Sequence, residues 1–295
     1  MRRELILGML IVAGGLAIAA AAQQAPAPTP SASALEVNKL RDNLFVLIGG
    51  GGNTSVFVQA NGVTVVDAKN PGWGQPVLTK IRELTNKPVT MLINTHTHGD
   101  HVSGNVEFPA TVDIVVQEKT AAHMKEMPIF AKSGGVGLPK RTFRDTMTLG
   151  SGNDRIDLYY FGRGHTDGDA WVLFPALRVL AAADIFSGKN IPFLDYNNGG
   201  SGLDMPDTLM KAYTATAKNV DSIVTGHSTV MTPADLREYV DFNRDFLNAV
   251  REAKKSGKTV DEFVKSWTLP AKYKGYAPTS ARLQANVEGM YKEIP

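Results

Sequence analysis

The stretch Asn94–His101 reads Asn-Thr-His-Thr-His-Gly-Asp-His and contains three of the six histidines of the chain. It follows Val89–Ile93, an apolar run rich in β-branched residues that predicts a buried strand. The polar cluster therefore begins where a strand ends, and Gly99 lets the backbone turn sharply there. A loop of ordinary hydrogen-bonded histidines is the simpler interpretation, but this density of imidazoles argues against it.

The spacing within this stretch suits two metal centres. His96 and His98, two residues apart, can reach one ion, and Asp100 and His101, beyond the bend, can reach another. Neutral imidazole and carboxylate are the ligands that Zn²⁺ takes when no thiolate is present. The chain has no cysteine, which excludes disulfides, thiolate ligands and a cysteine nucleophile. Every metal ligand must therefore be nitrogen or oxygen.

Length and composition indicate a globular protein with a sizeable core. The 295 residues suffice for one large domain or two small ones, and 43% of them are hydrophobic. The formal net charge of +2 is too balanced to indicate a nucleic-acid or membrane-surface binder. We therefore expect a small-molecule partner and no nucleic acid, and the oligomeric state stays open.

The first residues predict a targeting segment. Residues 1–22 combine a short basic start, an apolar run from Leu5 to about Ala19, and alanines ending at Ala22, where we expect cleavage by signal peptidase. An uncleaved membrane anchor is the alternative, but the run is short and rich in alanine and glycine. Residues 23–34, rich in Ala, Pro, Gln and Ser, predict a disordered spacer. We thus expect a periplasmic or secreted protein with no stable membrane anchor and a folded domain over residues 35–295.

Strands and helices alternate along this domain, which predicts an α/β fold. Two segments, 128–141 and 186–202, are long and irregular, and the sequence leaves open whether they form a lid. Capping-box patterns predict C-terminal helices from about residue 232. The predicted strands are 44–48, 55–58, 63–66, 89–93, 112–116, 156–161, 170–174, 179–183 and 222–224, and the other predicted helices are 76–84, 118–127 and 206–217.

Polar residues that can bind metal follow these strands. Loops at one edge of a layered α/β sheet collect functional residues, so we expect side chains far apart in sequence to converge. The sixth histidine, His123, lies in a predicted helix and is expected to be an ordinary surface or packing residue. The residues at strand ends, or in the turns after strands, are Asp67, His96, His98, Asp100, His101, His165, Asp184 and His227.

This ordered set resembles the metallo-β-lactamase-fold hydrolase superfamily. The family pattern is a strand-end Asp, then H-x-H-x-D-H, a lone His, a lone Asp and a final His, and it matches this chain over roughly residues 40 to 230. The resemblance implies a four-layer αβ/βα sandwich with two metals between the sheets. It implies that His96, His98 and His165 bind the first metal, that Asp100, His101 and His227 bind the second, that Asp184 bridges them, and that Asp67 holds a ligand or the loop from the second shell.

The resemblance also implies the chemistry. Two Zn²⁺ ions would generate a bridging hydroxide that attacks the carbonyl of a small ester, lactone, thioester or β-lactam, and Asp100 would orient it or pass on its proton. The sequence does not identify the substrate, because fold does not determine function. A phosphoester is therefore a further alternative. The β-lactamase subclasses that need cysteine at the position of Asp184 are ruled out, and a bridging Asp there resembles lactonases and thioesterases more than the remaining di-zinc lactamases.

Two rival interpretations belong to other classes. A mononuclear iron sulfur dioxygenase of the same fold would use one Fe²⁺ and much the same ligand types. A binding protein with a vestigial site is the other rival, against which the complete ligand set argues. Four loop aromatics, Trp73, Phe130, Phe193 and Tyr196, are candidates for an apolar pocket wall, although loop aromatics equally often cover the core.

Overall fold

The structure, a computed structural model, describes residues 29–295. The predicted signal peptide and the first half of the predicted spacer, residues 23–28, lie outside the described residues. Within them, two β-sheets pack face to face and helices cover both outer faces. The result is the four-layer sandwich that the sequence predicted, with additional helices at the C-terminal end.

The first sheet has seven strands in sequence order. Its first four strands are joined as antiparallel hairpins, and its last four lie parallel to one another. A short turn at residues 59–62 joins two of the antiparallel strands. It contains Asn61 and Gly62, but neither has the positive φ of a type I′ turn. The strands are β1 (Glu36–Arg41), β2 (Leu44–Ile48), β3 (Thr54–Val58), β4 (Val63–Val66), β5 (Val89–Ile93), β6 (Asp113–Gln117) and β7 (Arg141–Phe143).

The second sheet has five strands in the order β12-β11-β10-β9-β8. All its neighbouring pairs are antiparallel except the β11–β12 pair, which is parallel. The strands are β8 (Thr146–Leu149), β9 (Ile156–Tyr159), β10 (Trp171–Phe174), β11 (Val179–Ala183) and β12 (Ser222–Thr225).

Eight α-helices accompany these strands in residues 29–295. None of them is long and apolar enough to cross a membrane. The longest begins with the capping box that the sequence predicted, in which Thr232 and Asp235 bond each other's backbone N–H groups. The helices are α1 (Gly74–Leu84), α2 (Gly99–Val102), α3 (Glu118–Glu126), α4 (Pro128–Lys132), α5 (Met205–Thr216), α6 (Pro233–Lys255), α7 (Val260–Ser266) and α8 (Ser280–Glu293).

Alternation along the strands divides the apolar side chains among three core layers. Successive side chains of a strand point to opposite faces, so Val66 packs between the sheets while its neighbour Val65 packs under the helices of the first sheet. In the second sheet, Val172 faces the first sheet while Leu173 faces the C-terminal helices. Both sheets are therefore buried on two faces, which explains their nearly continuous apolar strands.

Three strands and two short helices, α2 and α4, are absent from the sequence prediction. β1, β7 and β8 are largely exposed, and β7 and β8 are also short, so their sequences lack the apolar run that indicates a buried strand. The segment 128–141 was predicted to be irregular, yet it begins with the five-residue helix α4. Within the predicted spacer, Ala32–Ala34 forms a turn of 3₁₀-helix. The exact domain limits stay a prediction.

The backbone is strained at two positions that lead into the functional site. Asp67, directly after β4, has φ of +66°, and Ala183, the last residue of β11, has φ of +47°. Non-glycine residues rarely adopt these angles, and such strain persists only where surrounding contacts enforce it. Here it turns the chain at Asp67 and immediately before Asp184.

Candidate metal centre

The ends of four strands bring seven side chains together at one edge of the sandwich. His96, His98, His165 and Asp184 form one group whose potential ligand atoms all lie within 4.8 Å of one another. Asp100, His101 and His227 form a second group by the same measure. Either group can hold a metal ion, and the grouping is the one that the family resemblance implied.

Asp67 organises the buried part of this cluster. Its carboxylate accepts hydrogen bonds from the backbone N–H and the hydroxyl of Thr95, at 2.8 and 2.7 Å. It also lies 2.8 Å from Nδ1 of His101. Since the Thr95 hydroxyl donates to Asp67, its oxygen can accept from Nδ1 of His96 at 3.0 Å. Asp67 thus holds His101 directly and His96 through Thr95, as expected of a second-shell residue.

The other two histidines of the first group are held by the loop 186–202. Nε2 of His98 lies 2.7 Å from the carboxylate of Asp195, and Nδ1 of His165 donates to the carbonyl of Phe193 at 2.6 Å. The inward-facing nitrogens, Nδ1 of His98 and Nε2 of His165, are 3.0 Å apart. Each ring therefore has its N–H fixed on an outer partner and its lone pair directed inward.

Asp184 lies between the two groups. Its carboxylate is 3.7 Å from Nε2 of His165 on one side, and 3.3 and 3.4 Å from Nε2 of His101 and His227 on the other. Asp100 completes the second group, with its carboxylate 3.0 Å from Nε2 of His227. The geometry places one carboxylate within reach of both clusters of imidazole nitrogens.

The pKa values of the histidines in the cluster suit a site that binds a cation. Burial lowers the pKa of His96 and lowers that of His165 to about 4, so both imidazoles are neutral ligands at pH 7. Burial alone would also lower the pKa of His101, but Asp184 and Asp67 raise it. Hydrogen bonds to Asp100 and Asp184 raise the pKa of His227 to about 9. The carboxylates of the cluster therefore favour positive charge in their surroundings.

Two buried atoms of the cluster make no hydrogen bond of ordinary geometry within residues 29–295: Nε2 of His96, and Oδ1 of Asp184, which lies 3.3 Å from Nε2 of His101. A buried polar atom without a partner is costly, and such atoms are rare in folded proteins. Both point into the cluster, and a nitrogen and a carboxylate oxygen are ordinary ligands of Zn²⁺. The residues present therefore fit a metal ion.

A cavity of about 480 Å³ opens beside the centre. Among the four predicted pocket aromatics, Phe193 lines it and is 42% exposed. The prediction requires correction at the other three. Trp73 and Phe130 are buried in the core beneath the first sheet, and Tyr196 packs on Gly289 of α8. These three side chains cover the core. Phe130 is the one that lies in the segment 128–141, and no residue of that segment contributes to the wall of this cavity.

Several supporting residues were not predicted from the sequence. Asp195 is one, because its contact with His98 joins positions 97 residues apart. Lys69 is another: its ammonium is fully buried and donates to the carbonyls of Leu47 and Gly52. Burial lowers the pKa of Lys69 to about 7, although Asp67 and Asp100 act in the opposite direction. Neither Asp195 nor Lys69 lies in a motif or a periodic pattern of the sequence.

His123 lies outside the cluster, as expected. Its ring is half-buried on α3, and Nε2 lies 2.8 Å from the carboxylate of Asp167. It belongs to neither group of potential metal ligands.

Comparison with known proteins decides the family. The family profile described as the metallo-beta-lactamase superfamily matches residues 47–227, which include all seven potential ligands. The chain belongs to the metallo-β-lactamase superfamily. The fold and the family expected from the sequence are thereby confirmed.

Two curated relatives of this superfamily member are hydrolases. A metallo-beta-lactamase type 2 from Elizabethkingia meningoseptica is 27% identical over 208 residues, 65% of this chain and 78% of its own length. A hydroxyacylglutathione hydrolase from Gloeothece citriformis is 29% identical over 136 residues, 45% of this chain and 46% of its own. The chain is accordingly a hydrolase of the metallo-β-lactamase superfamily.

A solved structure supports the fold assignment. The metallo-beta-lactamase from Pontibacter korlensis superposes with a TM-score of 0.60 at 20% identity, covering 71% of this chain and 99% of its own.

Proposed function

We propose that this protein is a di-zinc hydrolase that cleaves a small carbonyl substrate, such as an ester, lactone, thioester or β-lactam. The observation that carries the proposal is the position of Asp184 between two groups of nitrogen and oxygen ligands. Two cations close together need anionic ligands to offset their repulsion, and Asp184 with Asp100 would supply them. His96, His98 and His165 would hold one ion, and Asp100, His101 and His227 the other.

Bound zinc would supply a nucleophile derived from water and a Lewis acid for the substrate carbonyl. The protein would contribute the placement of the reacting groups. Asp100, whose side chain is 29% exposed and borders the cavity, is positioned to accept a proton or orient the attacking water. Asp67 and Asp195 would keep the imidazole lone pairs directed inward. No serine or cysteine nucleophile is required.

We also propose that the protein works in the periplasm or is secreted. The support is the targeting pattern of residues 1–22 in the sequence. Detection of the mature N-terminus after expression in a bacterial host would test it: a chain that begins near Gln23 supports export, and a chain that retains Met1 contradicts it.

Metal analysis separates the proposed function from its rivals. Protein purified without chelators should contain two zinc ions per chain when it is analysed by elemental mass spectrometry. One iron per chain would instead indicate the mononuclear dioxygenase, and no metal uptake after incubation with zinc or iron would contradict both enzymes.

Activity should depend on the same ligands. The metal-loaded protein should hydrolyse at least one member of a panel of esters, lactones, thioesters, β-lactams and phosphoesters. His98→Ala should abolish this hydrolysis and lower the zinc content. His123→Ala is the matched control, since it removes a half-buried imidazole outside the cluster. Equal activity of the two variants would refute the role of His98.

A further inference from the structure

The cavity beside the metal centre has two cationic side chains in its lining, Lys189 and Arg282. They differ in how their charge is compensated. The Lys189 ammonium lies 3.3 Å from the carboxylate of Asp235 and 3.1 Å from that of Glu238. Lys189 is thus already paired within the protein, and its charge is largely balanced there.

Arg282 has no such partner. No carboxylate of residues 29–295 lies within 4.0 Å of its guanidinium; its nearest polar contact is one N–H at 3.5 Å from the carbonyl of Ile191. A guanidinium has five N–H donors in a planar fork that matches a carboxylate. Arg282 is half-buried and borders the cavity, so most of its donors are available to a bound molecule.

The position of Arg282 is not explained by the stability of its helix. It lies in the first turn of α8, where its backbone N–H bonds the hydroxyl of the capping residue Thr279. Acidic side chains are favoured in a first helical turn and cationic ones are disfavoured, because the helix dipole is positive there. An anion bound to Arg282 would relieve this repulsion.

Phe193 contacts both Arg282 and two histidines of the metal centre. The guanidinium carbon lies 5.7 Å from the centre of the Phe193 ring, and the same ring lies 5.6 Å from that of His98 and 5.5 Å from that of His165. The guanidinium is therefore within about 11 Å of either imidazole. A molecule of modest length can reach both places.

The contacts between α8 and the loop 186–202 keep this distance fixed. The buried side chain of Asn286 on α8 donates to the carbonyl of Pro192 at 2.6 Å, and the Tyr196 hydroxyl donates to the carbonyl of Asn286. At the end of the helix, Glu293 accepts from the backbone of Gly202. The loop that orients His98 and His165 is thus bound to the helix that carries Arg282.

We propose that Arg282 binds a carboxylate on the substrate, so that the preferred substrates are anionic carbonyl compounds with the carboxylate several bonds from the scissile carbonyl. The proposal rests on the proposed hydrolase function. Phe193 packs against the chain between the two groups, and the guanidinium selects the charge. The substrate class is therefore narrowed from small carbonyl compounds in general to monoanionic ones.

Mono-p-nitrophenyl esters of the dicarboxylic acids from succinate to suberate provide the test. Each is compared with the neutral p-nitrophenyl ester of a fatty acid of equal chain length. The wild-type zinc enzyme should prefer the anionic ester at one or two chain lengths. Arg282→Gln should lower kcat/KM for those esters about 10- to 100-fold, the range expected for a lost charge-assisted contact, mainly through KM. The neutral esters should change less than about twofold.

Two further variants sharpen the interpretation. Arg282→Lys retains the charge without the fork and should recover part of the loss. Lys292→Gln removes an exposed charge from the same helix and should leave both ester series unchanged. Equal effects of Arg282→Gln on anionic and neutral esters, or none on either, would overturn the proposal.

A binding measurement distinguishes failure of this proposal from failure of the proposed function. Calorimetry with the monomethylamide of the preferred dicarboxylic acid, or of adipic acid if no ester is hydrolysed, should give an affinity that Arg282→Gln lowers at least tenfold. Unchanged affinity would show that the carboxylate binds elsewhere, the metal ions included, and would refute the role of Arg282. If the wild-type protein hydrolyses none of the esters but binds the amide in an Arg282-dependent way, the result would contradict only the proposed di-zinc hydrolysis of carbonyl substrates.

Discussion

Substitution of Asp195 by Asn tests how the loop 186–202 supports the metal centre. The Asp195 carboxylate lies 2.7 Å from Nε2 of His98, whose other nitrogen faces the site. Burial would raise the pKa of Asp195, but hydrogen bonds from His98 and Asn198 lower it, so the carboxylate is charged at neutral pH. Asn keeps one oxygen that can accept the same N–H and removes the charge, while its NH₂ group replaces the oxygen that accepts from the backbone N–H groups of Asn197 and Asn198.

The expected loss follows from this single contact. A carboxylate behind a ligating imidazole raises the basicity of the ring, and removal of such a partner typically costs 10- to 100-fold in metal affinity. This corresponds to about 1.4 to 2.7 kcal/mol of binding free energy. The loss should fall on the ion held by His96, His98 and His165. The ion held by Asp100, His101 and His227 has no contact with Asp195 and should be retained.

Competition titration with a chromophoric zinc chelator measures the two affinities separately. Asp195→Asn should show one weakened and one unchanged site. Asp42→Asn is the control, because it removes one negative charge from a fully exposed carboxylate far from the cluster. Two dissociation constants within twofold of the wild type would show that Asp195 does not support His98. An equal loss at both sites would indicate a general disturbance of the loop.

Three further substitutions probe the surroundings of the centre. Gly52→Ala would place a methyl group 2.1 Å from the His101 ring. This overpacking should lower the free energy of unfolding in urea by about 1 to 3 kcal/mol and should lower the zinc content. An unchanged zinc content would contradict the expected clash with His101. Burial lowers the pKa of Lys69 to about 7, whereas the unfolded chain releases this proton near 10.4, so the unfolded state binds more protons between these values. The free energy of unfolding should therefore rise by up to about 1.4 kcal/mol per pH unit from pH 7 to 10. Lys69→Met should show a correspondingly smaller dependence of this free energy on pH. Equal dependence in the two proteins would refute the lowered pKa of Lys69. Asn286→Ala removes the buried hydrogen bond to Pro192 and should lower the free energy of unfolding by about 1 to 3 kcal/mol; no change would show that α8 does not stabilise the loop.

The positions of the potential ligands could be predicted because they follow buried strands. Asn94–His101 comes directly after β5, Asp184 comes directly after β11, and His227 follows the end of β12 by two residues. A strand of four or five apolar residues is visible in the sequence, and its end marks one edge of the sheet. The layered α/β architecture then brings these ends together without any knowledge of the loops.

The surroundings of the cluster could not be predicted in the same way. The Asp195–His98 contact depends on how the loop 186–202 folds, and no periodicity in that loop indicates its course. The loop aromatics show the same limit: Trp73 covers Gly50 and Phe130 fills the core, while Phe193 borders the cavity. Whether a loop aromatic covers the core or borders a cavity depends on tertiary contacts, because burial of its ring is favourable in each case.

The central claim is that one carboxylate, Asp184, joins two metal ions held by six other side chains. Anomalous diffraction at the zinc absorption edge, from crystals of protein grown in zinc without chelators, tests it most directly. We expect two peaks per chain, one on each side of Asp184, bordered by His96, His98 and His165 and by Asp100, His101 and His227. A single peak, or a second peak away from Asp184, would contradict it.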